Sequence, residues 1–280
     1  MMLESSQGQE RVDALINAFR RYGHFQASLD PSGVNALYKA EPRLTLEYND
    51  LTRVDSNSIF FTRGILPNER APLSAIFSAL QQIYCQTVGV EVMHIDTEVE
   101  RQWLLEQIES PSLQAGFEDQ KLIDILDALS AAEGFEKYLD VKYPGQKRFS
   151  LEGLETVIPM LNDLANQAKK SGFEEVKIGM AHRGRLNVLV NVLGQPPQSL
   201  YQIFDGNVEH GNLSGDVKYH QGYSSDVVTP SGPIHFSMMF NPSHLEFVNP
   251  VAMGAARAKQ DCFSHKVETD YALLVLLHGD

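Results

Sequence analysis

The chain has 280 residues, 43% of them hydrophobic and 21% charged, which is enough apolar material for one large domain or two ordinary ones and excludes a disordered chain. Its 23 lysines and arginines are outnumbered by 36 aspartates and glutamates, and the net charge of -13 argues against a protein that binds a nucleic-acid backbone. The longest apolar stretch, residues 271–277, is far shorter than the ~20 residues that cross a bilayer, and residues 1–10 lack a signal-peptide pattern. We therefore expect an intracellular protein with no nucleic-acid and no membrane partner.

The first part of the chain is predicted to be mostly helical. Apolar residues recur at helical spacing in four stretches, residues 12–19, 73–84, 103–108 and 122–129. Turn signals such as Asp30-Pro31 lie between the first two stretches. Pro111 and Gly116 mark a boundary, so we expect a helical N-terminal region at residues 1–110 and a second domain at residues 111–280.

The second part alternates helices with strands. A helical stripe at residues 154–164, with Pro159 as a kink or a late start, precedes a strand at 176–180 and a helix at 186–193. The remaining predicted elements are a strand at 234–240, a helix at 251–260 and a strand at 271–277. This alternation predicts an α/β fold with a parallel sheet of buried strands. Three residues follow the last strand, so we expect a truncated domain that lacks the next helix.

A basic turn comes directly after the first of these strands. Residues 181–187 read Ala-His-Arg-Gly-Arg-Leu-Asn and open a helix. Arg183, Gly184 and Arg185 suit a phosphate group, because glycine permits close backbone approach and arginine donates bidentate hydrogen bonds. A basic surface turn paired with nearby carboxylates is the alternative.

Three further polar segments carry candidate residues. His220 lies in the loop of residues 215–222, and His244 follows the strand predicted to end at Phe240. Either histidine could neutralise a substrate carboxylate and move protons, or could be structural. Asp280 follows the last strand in His-Gly-Asp, where its carboxylate could bind Mg²⁺. The sequence contains no P-loop, dinucleotide-binding glycine turn or nucleophile elbow.

Taken together, four segments resemble one enzyme family in their order, amino-acid sequence and spacing. They are GMAHRGRLNVLVNVLG at residues 179–194, GDVKYHQG at 215–222, FNPSHLE at 240–246 and LHGD at 277–280. They resemble the thiamine diphosphate-dependent decarboxylase, or first, component of the 2-oxoglutarate dehydrogenase complex. The likeness covers residues 11–280 and implies the N-terminal part of a much longer subunit, which forms a homodimer in this family.

The resemblance also implies roles for individual residues. Arg183 matches a cofactor-binding arginine, and Asp280 matches a residue that binds both the cofactor and Mg²⁺. His220 and His244 match catalytic histidines of the substrate pocket. Arg185, Asn187 and Ser243 lie within the motifs and have supporting roles.

The implied reaction is the oxidative decarboxylation of 2-oxoglutarate, with transfer of the succinyl group to a lipoyl group. The implied cofactors are thiamine diphosphate and Mg²⁺, and the partners are the dihydrolipoyl succinyltransferase and dihydrolipoyl dehydrogenase components. We expect a role in the tricarboxylic acid cycle, and also in glycolysis, in the cytoplasm of a bacterium or in the mitochondrial matrix of a eukaryote. These 280 residues alone should be inactive. The alternatives are a 2-oxoadipate dehydrogenase component and a non-catalytic interaction module.

Overall fold

A computed structural model describes residues 6–30, 32, 40–110, 116–206, 217–241, 244–263 and 271–279. The chain divides into two compact units, Met1–Phe117 and Glu118–Asp280. The assignment of residues 1–110 and 111–280 to separate domains stays a prediction. Among the described helices, none combines the length and the apolar character that a membrane crossing needs.

The described part of the first unit contains three α-helices, at stretches where the apolar spacing predicts them. Its helices are α1 (Ser6–Tyr22), α2 (Leu73–Tyr84) and α3 (Glu98–Ile108). A short antiparallel hairpin of β1 (Ile59–Phe61) and β2 (Arg70–Pro72) was not predicted. Strands of three residues are too short to produce a recognisable apolar alternation.

The core of the first unit is formed by the apolar faces of α1 and α2. The four predicted core positions of α1 are at most 1% exposed: Val12, Leu15, Ile16 and Phe19. Glu109, at the end of α3, accepts hydrogen bonds from Arg20 Nε at 2.7 Å and from the Tyr84 hydroxyl at 2.6 Å. This buried cluster joins α1, α2 and α3. Burial and the neighbouring Glu109 charge raise the pKa of Tyr84, which therefore stays protonated and keeps donating.

The second unit begins with two long helices, α4 (Asp119–Lys142) and α5 (Val157–Lys170). Pro159 lies in the first turn of α5, where its missing N–H leaves no helical hydrogen bond unmade, so the predicted late start is confirmed. Leu154 was wrongly included in the helical stripe, since it precedes α5 and is 61% exposed.

The sheet of the second unit is formed by β3 (Glu175–Met180), β4 (Tyr223–Thr229), β5 (Gly232–Met238) and β6 (Ala272–Leu277), in the order β4-β5-β3-β6. The central strand β3 is parallel to both β5 and β6, which confirms the predicted parallel core. The sheet is mixed, because the edge strand β4, which was not predicted, pairs antiparallel with β5. Because β4 contains Ser224, Ser225 and Asp226, its sequence resembles a polar loop.

The other described helices of the second unit are α6 (Arg185–Asn191), α7 (Pro197–Phe204) and α8 (Val248–Phe263). The predicted helices at 186–193 and 251–260 correspond to α6 and α8, whereas α7 was not predicted. Helix α8 packs against β3 and β6. A Cβ atom at Gly179 would lie 2.9 Å from the Cβ of Ala252, so this close approach requires small residues on both elements.

Candidate active site

The basic turn joins the carboxyl end of β3 to the start of α6. Gly184 precedes α6 with a φ of 76°, a left-handed conformation that favours glycine. Its N–H donates to the carbonyl of Phe149 at 2.9 Å. Phe149 itself has a φ of 50°, so the loop before α5 is held in a strained shape beside the turn.

The two arginines of this turn have opposite environments. Arg185 is fully buried, and its guanidinium donates to the carbonyls of Gln221 at 2.6 Å and Met239 at 2.8 Å, and also to the carbonyl of Met180. Burial lowers the pKa of Arg185 to about 10, which leaves it charged at neutral pH. Arg185 thus joins the turn to the segments that carry His220 and His244. This arrangement agrees with the supporting role predicted for it.

Arg183 is exposed and lines a cavity of about 420 Å³ at the carboxyl ends of β3 and β6. The wall is mainly apolar, with Val157 and Met160 of α5 facing the strand ends at Met180 and Leu277. Arg183 contributes a permanent positive charge to the lining of the cavity. In open α/β sheets, ligands bind outside the carboxyl ends of the strands, so the cavity lies where a ligand is expected.

His220 is brought into a cluster with His182, the histidine of the basic turn. The ring of His182 lies 3.9 Å from the ring of Phe149 and 6.3 Å from that of Tyr219, measured between centroids. The ring of Tyr219 in turn contacts His220 at 5.0 Å. Sequence reasoning did not select His182. Its position directly after a buried strand was the signal that could have identified it.

The surroundings of this cluster are positively charged, although the chain as a whole carries a negative net charge. Burial lowers the pKa of His182, and the nearby charges lower it further, in decreasing order His220, Arg183, Arg185 and Lys147. His220 is only 5% exposed. The cluster therefore combines a field that attracts carboxylates with an imidazole that is kept neutral and can accept a proton.

His244 is exposed, and its ring lies 5.5 Å from that of Phe247. The predicted motifs at residues 240–246 and 277–280 are in contact, since His278 Nδ1 lies 3.0 Å from a carboxylate oxygen of Glu246.

Two predicted site residues, Asp280 and Ser243, lie outside the described residues. Asn187 is buried and donates to the carbonyl of Ala132 at 2.9 Å and to the carboxylate of Glu136 at 3.1 Å, so it connects α6 to α4. In the described ranges, no three side chains of the His, Cys, Asp and Glu types come together as a metal-ligand set.

Comparison with known proteins identifies the family. The chain is 47% identical to the 2-oxoglutarate dehydrogenase E1 component of Coxiella burnetii over 273 residues, which is 97% of this chain. It is 43% identical to the protein of the same name from Azotobacter vinelandii and 40% identical to that from Brucella anthropi, in each case over 99% of the chain. The chain belongs to the family of 2-oxoglutarate dehydrogenase E1 components.

These E1 components are far longer than the present chain, which spans 29% of the length of each of the three relatives. The predicted resemblance to a much longer subunit is confirmed. The relatives are named as components of a 2-oxoglutarate dehydrogenase, and the assignment to glycolysis was wrong. No family model matches the chain.

Proposed function

We propose that the chain forms part of the active site of a 2-oxoglutarate dehydrogenase E1 component. The reaction is the oxidative decarboxylation of 2-oxoglutarate, with transfer of the succinyl group to a lipoyl group of the succinyltransferase. The observation that carries the proposal is the convergence of Arg183, His182 and His220 at the carboxyl end of β3, in a chain 40–47% identical to proteins named for this activity. These names favour 2-oxoglutarate over the longer 2-oxoadipate, and nothing supports a non-catalytic module.

The residues present fit thiamine diphosphate, the cofactor that the family implies. The guanidinium of Arg183 could hold a diphosphate, and the apolar cavity beside it could receive an organic ring. When bound, the cofactor supplies the stabilisation of negative charge that decarboxylation of a 2-oxo acid requires. Mg²⁺ binding by Asp280 is part of the same proposal.

The chain's own contribution is to bind and orient the substrate. Since 2-oxoglutarate is a dianion, the positive field of Arg183, Arg185 and Lys147 favours its entry. His220 and His182 are placed to hold a carboxylate and to move a proton. His244 is proposed as a second catalytic histidine, although its exposed position beside Phe247 supports this role less directly.

The proposal extends to the whole protein. We infer a homodimer that works with the dihydrolipoyl succinyltransferase and dihydrolipoyl dehydrogenase components. The three relatives described above are bacterial, which favours the cytoplasm as its location.

The decisive experiment measures thiamine diphosphate binding by calorimetry, in a polypeptide of the relatives' full length that carries this sequence. In Arg183→Ala we expect the dissociation constant to rise about 10- to 100-fold, because a charge-assisted hydrogen bond contributes about 1.5–3 kcal/mol. Arg257→Ala is the matched control, since Arg257 is an exposed arginine paired within α8 to Asp261. Equal affinity of Arg183→Ala and Arg257→Ala would refute the cofactor assignment.

A further inference from the structure

A second polar site lies on the β4–β5 hairpin. The Ser224 hydroxyl oxygen is 2.7 Å from His235 Nε2, and His235 Nδ1 is 2.7 Å from a carboxylate oxygen of Asp226. The hydroxyl of Ser237 lies 3.3 Å from that of Ser224. The cavity described above includes none of these four residues in its lining.

The strand register explains why these side chains meet. Ser224 and Asp226 are two positions apart on β4 and therefore point to the same face of the sheet. His235 is paired directly with Asp226 across the antiparallel ladder, and Ser237 with Ser224. The side chains of Ser224 and Asp226 are exposed, and that of His235 is 40% exposed, so a reagent in solution can reach them. The arrangement is thus built into the backbone pairing.

The hydrogen-bond chemistry assigns a direction to this chain of contacts. An ionised carboxylate only accepts hydrogen bonds, so the contact with Asp226 requires a proton on His235 Nδ1. In the neutral imidazole Nε2 is then an acceptor, and Ser224 donates its hydroxyl proton to it. A serine hydroxyl held against an oriented imidazole base is the arrangement that activates serine as a nucleophile.

The charges around His235 come from two strands and one helix. Asp226 faces it from β4, while Glu175 is its neighbour in the register of β3. Glu175 is already paired with Lys177 and with Lys259 of α8. Asp226 is therefore the carboxylate that orients the imidazole.

We propose that Ser224 is a nucleophilic serine, activated by His235 and Asp226, that accepts an acyl or phosphonyl group from an activated ester or an acid fluoride. In the step with an alkyl fluorophosphonate, a bond forms between the Ser224 oxygen and phosphorus, and the phosphorus–fluorine bond breaks. Fluoride leaves, and the hydroxyl proton passes to His235 Nε2 and then to water. The Ser237 hydroxyl supplies a second donor beside the reacting oxygen.

The test is labelling of the 280-residue chain with an alkyl fluorophosphonate, with the adduct mapped by mass spectrometry. We expect the adduct on Ser224 and none in Ser224→Ala. Loss of the base in His235→Gln should slow labelling about 100-fold, within the range of general-base contributions. Asp226→Asn should also slow it, because the imidazole is no longer held in the reactive tautomer.

The matched control is Ser225→Ala. Ser225 is the next residue of β4, and its hydroxyl donates to the carbonyl of Leu193 at 2.6 Å instead. In Ser225→Ala, Ser224 should be labelled at the same rate as in the unchanged chain. Far-ultraviolet circular dichroism checks each variant, and Asp226→Asn replaces His235→Gln as the test if the latter is unfolded. An unlabelled Ser224, or equal labelling rates in the unchanged chain and in the folded base or carboxylate variant, would overturn the proposal. Its failure would leave the cofactor proposal untouched, because thiamine diphosphate binding is measured independently.

Discussion

The guanidinium of Arg185 donates a 2.6 Å hydrogen bond to the backbone carbonyl of Gln221, 36 positions later in the chain. The same nitrogen reaches the carbonyl of Met239 at 2.8 Å. One buried side chain therefore holds the segment that precedes β4 and the segment that follows β5 against the basic turn. The histidine cluster depends on this connection, because Gln221 directly follows His220.

We expect Arg185→Lys to lower the free energy of unfolding by about 2–4 kcal/mol. Lysine keeps the charge but lacks the planar fork, so at least one buried carbonyl would lose its donor, at about 1–3 kcal/mol for each such group. Denaturant unfolding followed by circular dichroism measures the change. The control is Arg257→Lys on the surface of α8, which should shift stability by less than about 0.5 kcal/mol. Equal stabilities of the two variants would show that the connection is dispensable.

Glu136 should be essential for the shape of the loop beside the turn. This carboxylate is only 3% exposed and accepts hydrogen bonds from the N–H of Leu151 at 3.0 Å and from Asn187 at 3.1 Å. In Glu136→Ala both donors lose their acceptor, and we expect a loss of about 2–4 kcal/mol in thermal or denaturant unfolding. Glu133→Ala is the control, because Glu133 forms an exposed pair with Lys137 one helical turn away. A neutral Glu136→Ala would contradict the role given to this carboxylate.

The elements that were predicted correctly are those whose burial is visible in the local sequence pattern. The four core positions of α1 and the parallel strand β3 were predicted because apolar spacing and a continuous apolar run report directly on burial. Strand β4 was missed because its exposed face carries Ser224 and Asp226, which are also common in loops.

The motif of the candidate site was predicted from the sequence, but the burial and the tertiary contacts of its residues were not. The motif containing His182, Arg183 and Arg185 indicates phosphate chemistry, but it does not tell which side chain is buried. Burial of Arg185 follows from carbonyl groups contributed by Gln221 and Met239, which no local pattern reveals. The proximity of His182 to His220 likewise depends on the tertiary fold.

The lowered pKa of His182 predicts a pH dependence of stability. The folded state binds this proton less readily than the unfolded state, whose histidine has a pKa near 6.5. Above pH 6.5, His182 is neutral in both states and does not reduce the free energy of unfolding. As the pH drops below 6.5, the free energy of unfolding falls, because the unfolded state then binds more protons than the folded state. We expect the loss of stability between pH 7 and pH 5 to be smaller in His182→Gln than in the unchanged chain. A larger loss in His182→Gln, measured by denaturant titration at both pH values, would reverse the assigned sign.

The two proposed catalytic histidines should differ in effect. In a polypeptide of the relatives' full length, His220→Asn should raise the KM for 2-oxoglutarate and lower kcat, with kcat/KM falling about 10²- to 10⁴-fold. His244→Asn should act in the same direction but less strongly, because His244 is exposed in the described structure. Steady-state kinetics gives both values, and thiamine diphosphate binding should stay near normal in each variant. Loss of cofactor binding with unchanged substrate kinetics would contradict both assignments.

The 280-residue chain by itself should show no decarboxylase activity. It spans 29% of the length of its relatives, and of the described residues that line its cavity, Arg183 is the one with a permanent charge. A cofactor held by so few contacts should bind weakly, since every 1.4 kcal/mol of lost binding free energy raises the dissociation constant about tenfold. The assay combines the purified chain with 2-oxoglutarate, thiamine diphosphate, Mg²⁺ and an artificial electron acceptor, and a preparation without chain sets the background. Turnover above that background, abolished by a chelator, would mean that these residues already complete the catalytic site.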